Sequence, residues 1–294
     1  MHGYLRAIGF KNIISKKALA ELLSDVLETP TEQKQVNFEN NENIVEIRKE
    51  YANGVGILLH GYYNEEKQFQ MEYYVPYIKG TGNPMNEEIS ITRHLNRESF
   101  AGVCEDMRLG VALIYYVENG IDFVENSSYS HRSSFRTDIQ LAALSSSGMI
   151  LLPVNKTQVQ AEKSRIASQN RRQLISAAQA GDETAIENLT IEDLDTYTKI
   201  NQRIRREDVL TIVDTSFMPY GVECDQYSIL GNILDMSSYI NHYSGEQIYF
   251  LTIDCNDLCI NIAINRDDLI GEPTVGMRFK GSIWLQATVH FTNN

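Results

Sequence analysis

Gln247–Arg266 reads QIYFLTIDCNDLCINIAINR, two apolar runs set about Asn256-Asp257. If the loop held three residues, Cys255 would face Cys259, Ile253 would oppose Asn261 and Leu251 would oppose Ala263. With a two-residue loop, Cys255 opposes Leu258, Ile253 meets Ile260, Leu251 meets Ile262 and Tyr249 meets Ile264. The second register gathers the large apolar residues on one face, as a half-buried sheet demands. Asn and Asp both tolerate the left-handed angles of so tight a turn. In this register Cys255 and Cys259 point to opposite faces. They then share neither a tetrahedral metal nor a disulfide. The stretch is therefore a β-hairpin and not a metal or redox site.

Working outward, YSILGNIL, LCINIAINR and RFKGSIWLQATVHF keep strand character, as does DVLTIVD upstream. Five such strands over 207–294 predict a small β-barrel of OB-like plan. Residues 155–206 lose the strand pattern. KTQVQAEKSRIASQNRRQLISAAQA predicts a helix ended by Gly181, and Asp182 caps a short helix over DETAIENL. Thr190 and Asp193 resemble a capping box and predict a third helix after it. Residues 1–154 alternate like strands. Ser15 caps a helix through Glu28, with Leu19, Leu22, Leu23 and Val26 at helical spacing and Pro30 as its stop. Asn53-Gly54 and Asn119-Gly120 each predict a type I′ hairpin, and SSSG at 145–148 predicts a turn between IQLAAL and MILLPV. The fold class is α+β: an antiparallel-sheet N-terminal domain (1–154), a helical connector (155–206) and a small C-terminal β-barrel (207–294).

The totals narrow the function. The chain has 294 residues and a formal net charge of −13. Phosphate binding on nucleic acids draws on clustered Lys and Arg, so the balance argues against nucleic-acid and anionic-membrane partners. No apolar run approaches the ~20 residues that span a bilayer. Four scattered cysteines do not form a secreted disulfide framework. A cytoplasmic location is expected.

Two candidate sites stand out. YSHRSSFRTD places His131, Arg132, Ser133 and Arg136 together, with Arg93 in ITRHLNRESF as a possible convergent partner. Arginine gives carboxylate or phosphate a bidentate grip, so this set predicts an anion site. The plain alternative is a solvated polar loop. The last strand carries Lys280, Trp284 and Gln286 on its polar face, and the chain's single Trp there predicts a partner-docking face. Its alternative is internal cover by the helical connector. Catalysis has no clear foothold. There is no G-x-S-x-G elbow, and His242 with Glu246 spans a Gly-containing turn. Gly54, Gly56 and Gly61 enter a strand and not a helix, so they make no dinucleotide fingerprint. His60 reads as a strand residue with a satisfied hydrogen bond. No cofactor and no metal site is expected.

RAIGF (6–10), PYGVECDQYSILG (219–231) and VGMRFKGSIWLQ (275–286) resemble an uncharacterised family of similarly sized proteins from anaerobic Gram-positive bacteria. The resemblance covers essentially the whole chain, although Ala287 stands where the family pattern has glycine. It implies no activity, cofactor or site residue. The leading expectation is a non-enzymatic binding or interaction protein with an unknown protein partner. The alternatives are a regulatory binder of a small anionic ligand, or an enzyme whose site is assembled from distant residues.

Overall fold

The computed structural model describes residues 2–37, 43–81, 89–93, 100–106, 111–122, 125, 136–154, 158–204 and 208–292. It is a mixed α+β fold built on two sheets. The first is antiparallel and runs in sequence order: β1 (Glu32–Asn37), β2 (Asn43–Ala52), β3 (Val55–Tyr63) and β4 (Phe69–Ile78). The second is mixed. It begins with β5 (Ile89–Arg93), β6 (Phe100–Asp106), β7 (Val111–Val117) and β8 (Arg136–Leu151). It continues with β9 (Ser216–Pro219), β10 (Gln226–Ile240), β11 (Gln247–Cys255), β12 (Leu258–Asn265), β13 (Leu269–Ile270) and β14 (Arg278–Thr292). Its strands come from both sides of residue 154, so the division expected there runs through a sheet.

The 247–266 hairpin folds as its side chains dictate. Cys255 pairs with Leu258, Ile253 with Ile260, Leu251 with Ile262 and Tyr249 with Ile264. Asn256 and Asp257 have φ of 54° and 66°, the double left-handed turn that suits the twist of the strands. Cys255 is buried, Cys259 is half-buried, and both are free thiols.

Two expectations about strands change. SSSG does not turn: β8 runs straight through it and pairs with β14 from Arg136↔Thr292 to Leu151↔Arg278. The register shifts between Ser282 and Ile283, and Ser145 Oγ satisfies the irregularity by donating to the carbonyls of Ser282 and Ser147. Gly148 is required there because a Cβ would sit 2.4 Å from the Phe279 ring. DVLTIVD is not a strand. Val209–Ile212 is one turn of helix, capped by the Asp208 carboxylate on Leu210 N at 2.8 Å. Arg278 donates to the carbonyls of Leu210 and Val213, which fixes the C-terminal end of that turn. β8 lies antiparallel to β14 and parallel to β12.

The Asn-Gly turns also differ. At Asn53-Gly54 only Gly54 is left-handed, and β2 takes a bulge between Glu50 and Ala52. Asn119 makes no hairpin. Its side chain donates to Val289 O and accepts from Val289 N, both at 2.8 Å, and so acts as a short strand partner for β14.

The helices follow their caps. α1 (Lys16–Glu28) starts at Ser15, whose hydroxyl accepts from Ala18 N, and buries Leu22, Leu23 and Val26. α2 (Gln158–Gln179) ends at left-handed Gly181, and Asp182 caps α3 (Glu183–Ile204). The expected break before Thr190 is absent. Thr190 lies inside α3 and returns its hydroxyl to Ile186 O. Two cores result. One lies within the second sheet, around Leu141, Ile229, Ile253, Ile262, Phe279 and Leu285. The other joins α1, the 3-10 turn Gly3–Ile8 and the first sheet to the outer face of the second, around Leu22, Ile47, Leu59, Leu144 and Trp284.

Candidate functional site

The strand β2 presents Glu46 and Arg48 on one face by its two-residue period. Cross-strand pairing sets His60 opposite Glu46, and Tyr73 opposite His60. The end of β7 delivers Tyr116 and, one step beyond the strand, Glu118. All four of Glu46, Arg48, His60 and Glu118 are buried between the sheets. Arg48 Nη1 donates to Glu118 Oε2 at 2.5 Å, and Nη2 donates to Glu46 Oε2 at 3.0 Å and to Glu118 O at 2.7 Å. Thr288 donates to the remaining Glu118 oxygen at 2.9 Å. His60 Nε2 lies 3.5 Å from Glu46 Oε1 and 3.3 Å from the Tyr116 hydroxyl, with its ring stacked on Tyr73.

One guanidinium serves two buried carboxylates. Glu118 holds the shorter bond together with Thr288, so Glu46 carries the uncompensated charge. Burial above all, with the Glu118 and Asp122 charges adding, pushes the Glu46 pKa up to about 7 against the pull of Arg48. Burial, then the Arg48 charge, drives His60 down to about 3. At neutral pH the imidazole is therefore neutral. Its Nδ1 has no protein partner, so the hydrogen bonding expected of His60 is met only at Nε2.

Above this group opens a cleft of about 600 Å³ between the two sheets, with walls that include Lys34, Arg48, Lys79, Glu118, Asp122 and Thr288. Its acceptors are occupied. Glu118 is bonded as above, and Asp122 accepts from Lys34 at 2.6 Å and from Asn119 at 3.3 Å. Among its donors, Lys34 is held by Asp122 and also by Glu32 at 3.2 Å. Lys79 meets Glu50 at 2.5 Å, and Arg48 Nε is buried with no acceptor from the protein. An orphaned charged donor in a buried position is costly and calls for a reason.

The sequence-derived candidates fall elsewhere. His131, Arg132 and Ser133 lie outside the described residues. Arg136 opens β8 opposite Thr292, and Arg93 closes β5, with β6, β7 and β14 between those strands. Trp284 and Gln286 are spent on internal contacts. Trp284 Nε1 donates to Asp225 at 2.6 Å, and its ring lies among His2, Tyr4 and Tyr116. Fully buried Gln286 accepts from Ile78 N and donates to Pro76 O, both at 3.0 Å, pinning β4 to β14. The cover over this face is the first sheet, the N-terminal turn and α1, and among the described residues the core it forms includes none from α2 or α3. Lys280 is half-exposed on β14. Among the described residues, no group of three His, Cys, Asp or Glu side chains is placed to hold a metal, and no helix is long and apolar enough to cross a membrane.

Sequence reasoning missed Glu46, Arg48 and Glu118. The available signal was the Glu-x-Arg pair in NIVEIRKEYA, two charges on one face of a strand otherwise rich in apolar residues.

The fold and its cleft define a two-sheet α+β protein with a buried ion cluster beneath a polar opening. Over residues 5–287 the chain matches the model of DUF3881, described as a domain of unknown function from an E. rectale gene, and it belongs to that family. No curated protein and no solved structure matches it.

Proposed function

We propose that the chain is a binding protein whose cleft takes a small anionic ligand, a carboxylate or phosphate compound. The observation that carries this reading is Arg48, a buried guanidinium in the cleft wall with an unpartnered Nε–H. Lys34 and Lys79 add two amines on flexible stems at the rim, and the carboxylates nearby already hold their donors. The cleft is lined by three cations, Lys34, Arg48 and Lys79, and by three carboxylates, Glu32, Glu118 and Asp122, so in a chain of net charge −13 its opening is close to neutral and repels an anion less than the rest of the surface does. Binding is favoured over catalysis because Glu46, His60 and Tyr116, the groups suited to moving protons, are sealed beneath the cleft and do not line it. The candidates Arg136, Arg93, His131, Arg132 and Ser133 form a separate anion-site proposal, and Lys280 stays the one half-exposed member of the proposed docking face.

The scaffold reading that accompanies this is a closed, OB-like five-stranded barrel. The meander β10–β11–β12 continues through β12–β8 and β8–β14, and β14 pairs back onto β10. These pairings support closure with β8 as the fifth strand.

The test is a thermal-shift panel of dicarboxylates, sugar phosphates and nucleoside monophosphates. A ligand at a hundred times its Kd stabilises the native state by about 2.7 kcal/mol, which is a rise of roughly 4 °C for a chain of this size. The double variant Lys34→Met/Lys79→Met is expected to lose that rise. A panel that moves neither protein, or moves both equally, contradicts the reading.

A further inference from the structure

Among the described residues, the α2–α3 hairpin packs on a small cluster of its own, separate from the cores of the two sheets. Its buried cluster is Ile175, Ala178, Ala185 and Leu189, with Leu174 and Ala177 packed against it, and it includes no residue of either sheet. Among the described side chains of these two 22-residue helices, these four are buried. Isolated helices are marginal in water, and most helical stability in proteins comes from packing an apolar face.

An uncovered apolar face is present. Ile186, Leu194 and Tyr197 recur on one stripe of α3 at spacings of eight and three residues, and they are 46%, 62% and 68% exposed. This stripe continues the apolar sector that Ala185 and Leu189 begin on the buried side.

The charges indicate the occupant. Gln158–Gln179 contains four basic residues and one acidic, a net of +3, while Glu183–Ile204 contains five acidic and two basic, a net of −3. Within one hairpin this asymmetry is used by Arg171, which reaches Asp193 at 2.9 Å and Glu192 at 3.6 Å. Across a two-fold axis the same asymmetry is self-complementary, because the acidic α3 of one copy meets the basic α2 of the other twice over.

We propose that the hairpin is a homodimerisation element, in which the Ile186–Leu194–Tyr197 stripe of each copy packs on the partner's α2 to complete a four-helix bundle. The bundle covers the Ile186–Leu194–Tyr197 stripe that each hairpin leaves exposed within one chain. Dimerisation leaves the cleft between the sheets open, since none of its lining residues belongs to the hairpin.

Sedimentation equilibrium of the full chain between 1 and 100 µM tests this. The expected result is twice the 33.5 kDa chain mass, falling twofold in the variant Leu194→Glu/Tyr197→Glu. Both replaced side chains are exposed within one chain, so the variant should keep the wild-type β-sheet circular dichroism signal. Ile14→Glu, an exposed apolar residue just before α1, should remain dimeric. A wild-type chain that stays monomeric at 100 µM, leaving the stripe to some other partner, overturns the proposal. So does a Leu194→Glu/Tyr197→Glu variant that still sediments as a dimer.

Discussion

Replacing Arg48 with methionine is expected to destabilise the fold by about 3–5 kcal/mol, the range seen when one member of a buried ion pair is removed. The cost arises chiefly at Glu118. Its side chain is 2% exposed, and it would lose the guanidinium contact at 2.5 Å and keep only Thr288. Glu46 contributes less, because burial already favours its neutral form. Chemical denaturation of wild type, Arg48→Met and Arg48→Met/Glu118→Gln separates these contributions. The double variant is expected to regain most of the loss, because a neutral amide in place of Glu118 leaves no unpaired charge. A loss below about 1 kcal/mol for Arg48→Met, or no recovery in the double variant, contradicts this assignment, since truncating one partner of a buried ion pair should leave an uncompensated charge.

The second large effect is on the pH dependence of stability. In the unfolded chain between pH 4.5 and 6.5, Glu46 is ionised and His60 is protonated; in the folded chain the carboxyl holds the proton and the imidazole does not. Folding thus moves one proton from the imidazole to the carboxyl. Glu46 has a raised folded pKa, so its stabilisation is complete below pH 4.5 and is lost as pH rises to about 7. His60 has a depressed one, so its stabilisation is complete above pH 6.5 and is lost as pH falls toward about 3. The two slopes oppose each other between pH 4.5 and 6.5 and leave a plateau. His60→Phe, which keeps a ring against Tyr73, should expose the Glu46 slope: a decline of ~1.4 kcal/mol per pH unit between pH 4.5 and 7. Glu46→Gln should show the opposite, a continued rise up to pH 6.5. Urea midpoints for the three proteins from pH 3.5 to 8 check this. A His60→Phe profile parallel to wild type through pH 4.5–7 would remove the claim that Glu46 holds a proton.

The local half of this structure was legible in the sequence. The 247–266 hairpin declared its register because only one pairing gathers its large apolar residues on one face. The Ser15 cap and the Gly181 stop are chemistry within a few residues of the helix ends they govern. The misread segments depend on distant partners. SSSG has the composition of a turn, yet it stays extended because β14 pairs along its length and the Phe279 ring requires a glycine at 148. Asn119-Gly120 carries a hairpin signal, but Val289 captures the Asn119 side chain. DVLTIVD has the apolar content of a strand, and Arg278, some seventy positions later, holds part of it as a helical turn. The buried cluster draws on residues 46, 48, 60 and 118, and only cross-strand register brings them together. A charge in a strand looks the same in the sequence whether it faces water or another sheet.

Occupancy of the cleft over Arg48 by a small anion can be read from the mass of the gently purified protein under native conditions, compared with its mass after denaturation, for wild type and for Lys34→Met/Lys79→Met. A small excess mass on the wild type, released on denaturation and absent from the variant, is the expected result. A bare wild-type chain, or the same excess on both proteins, would contradict it.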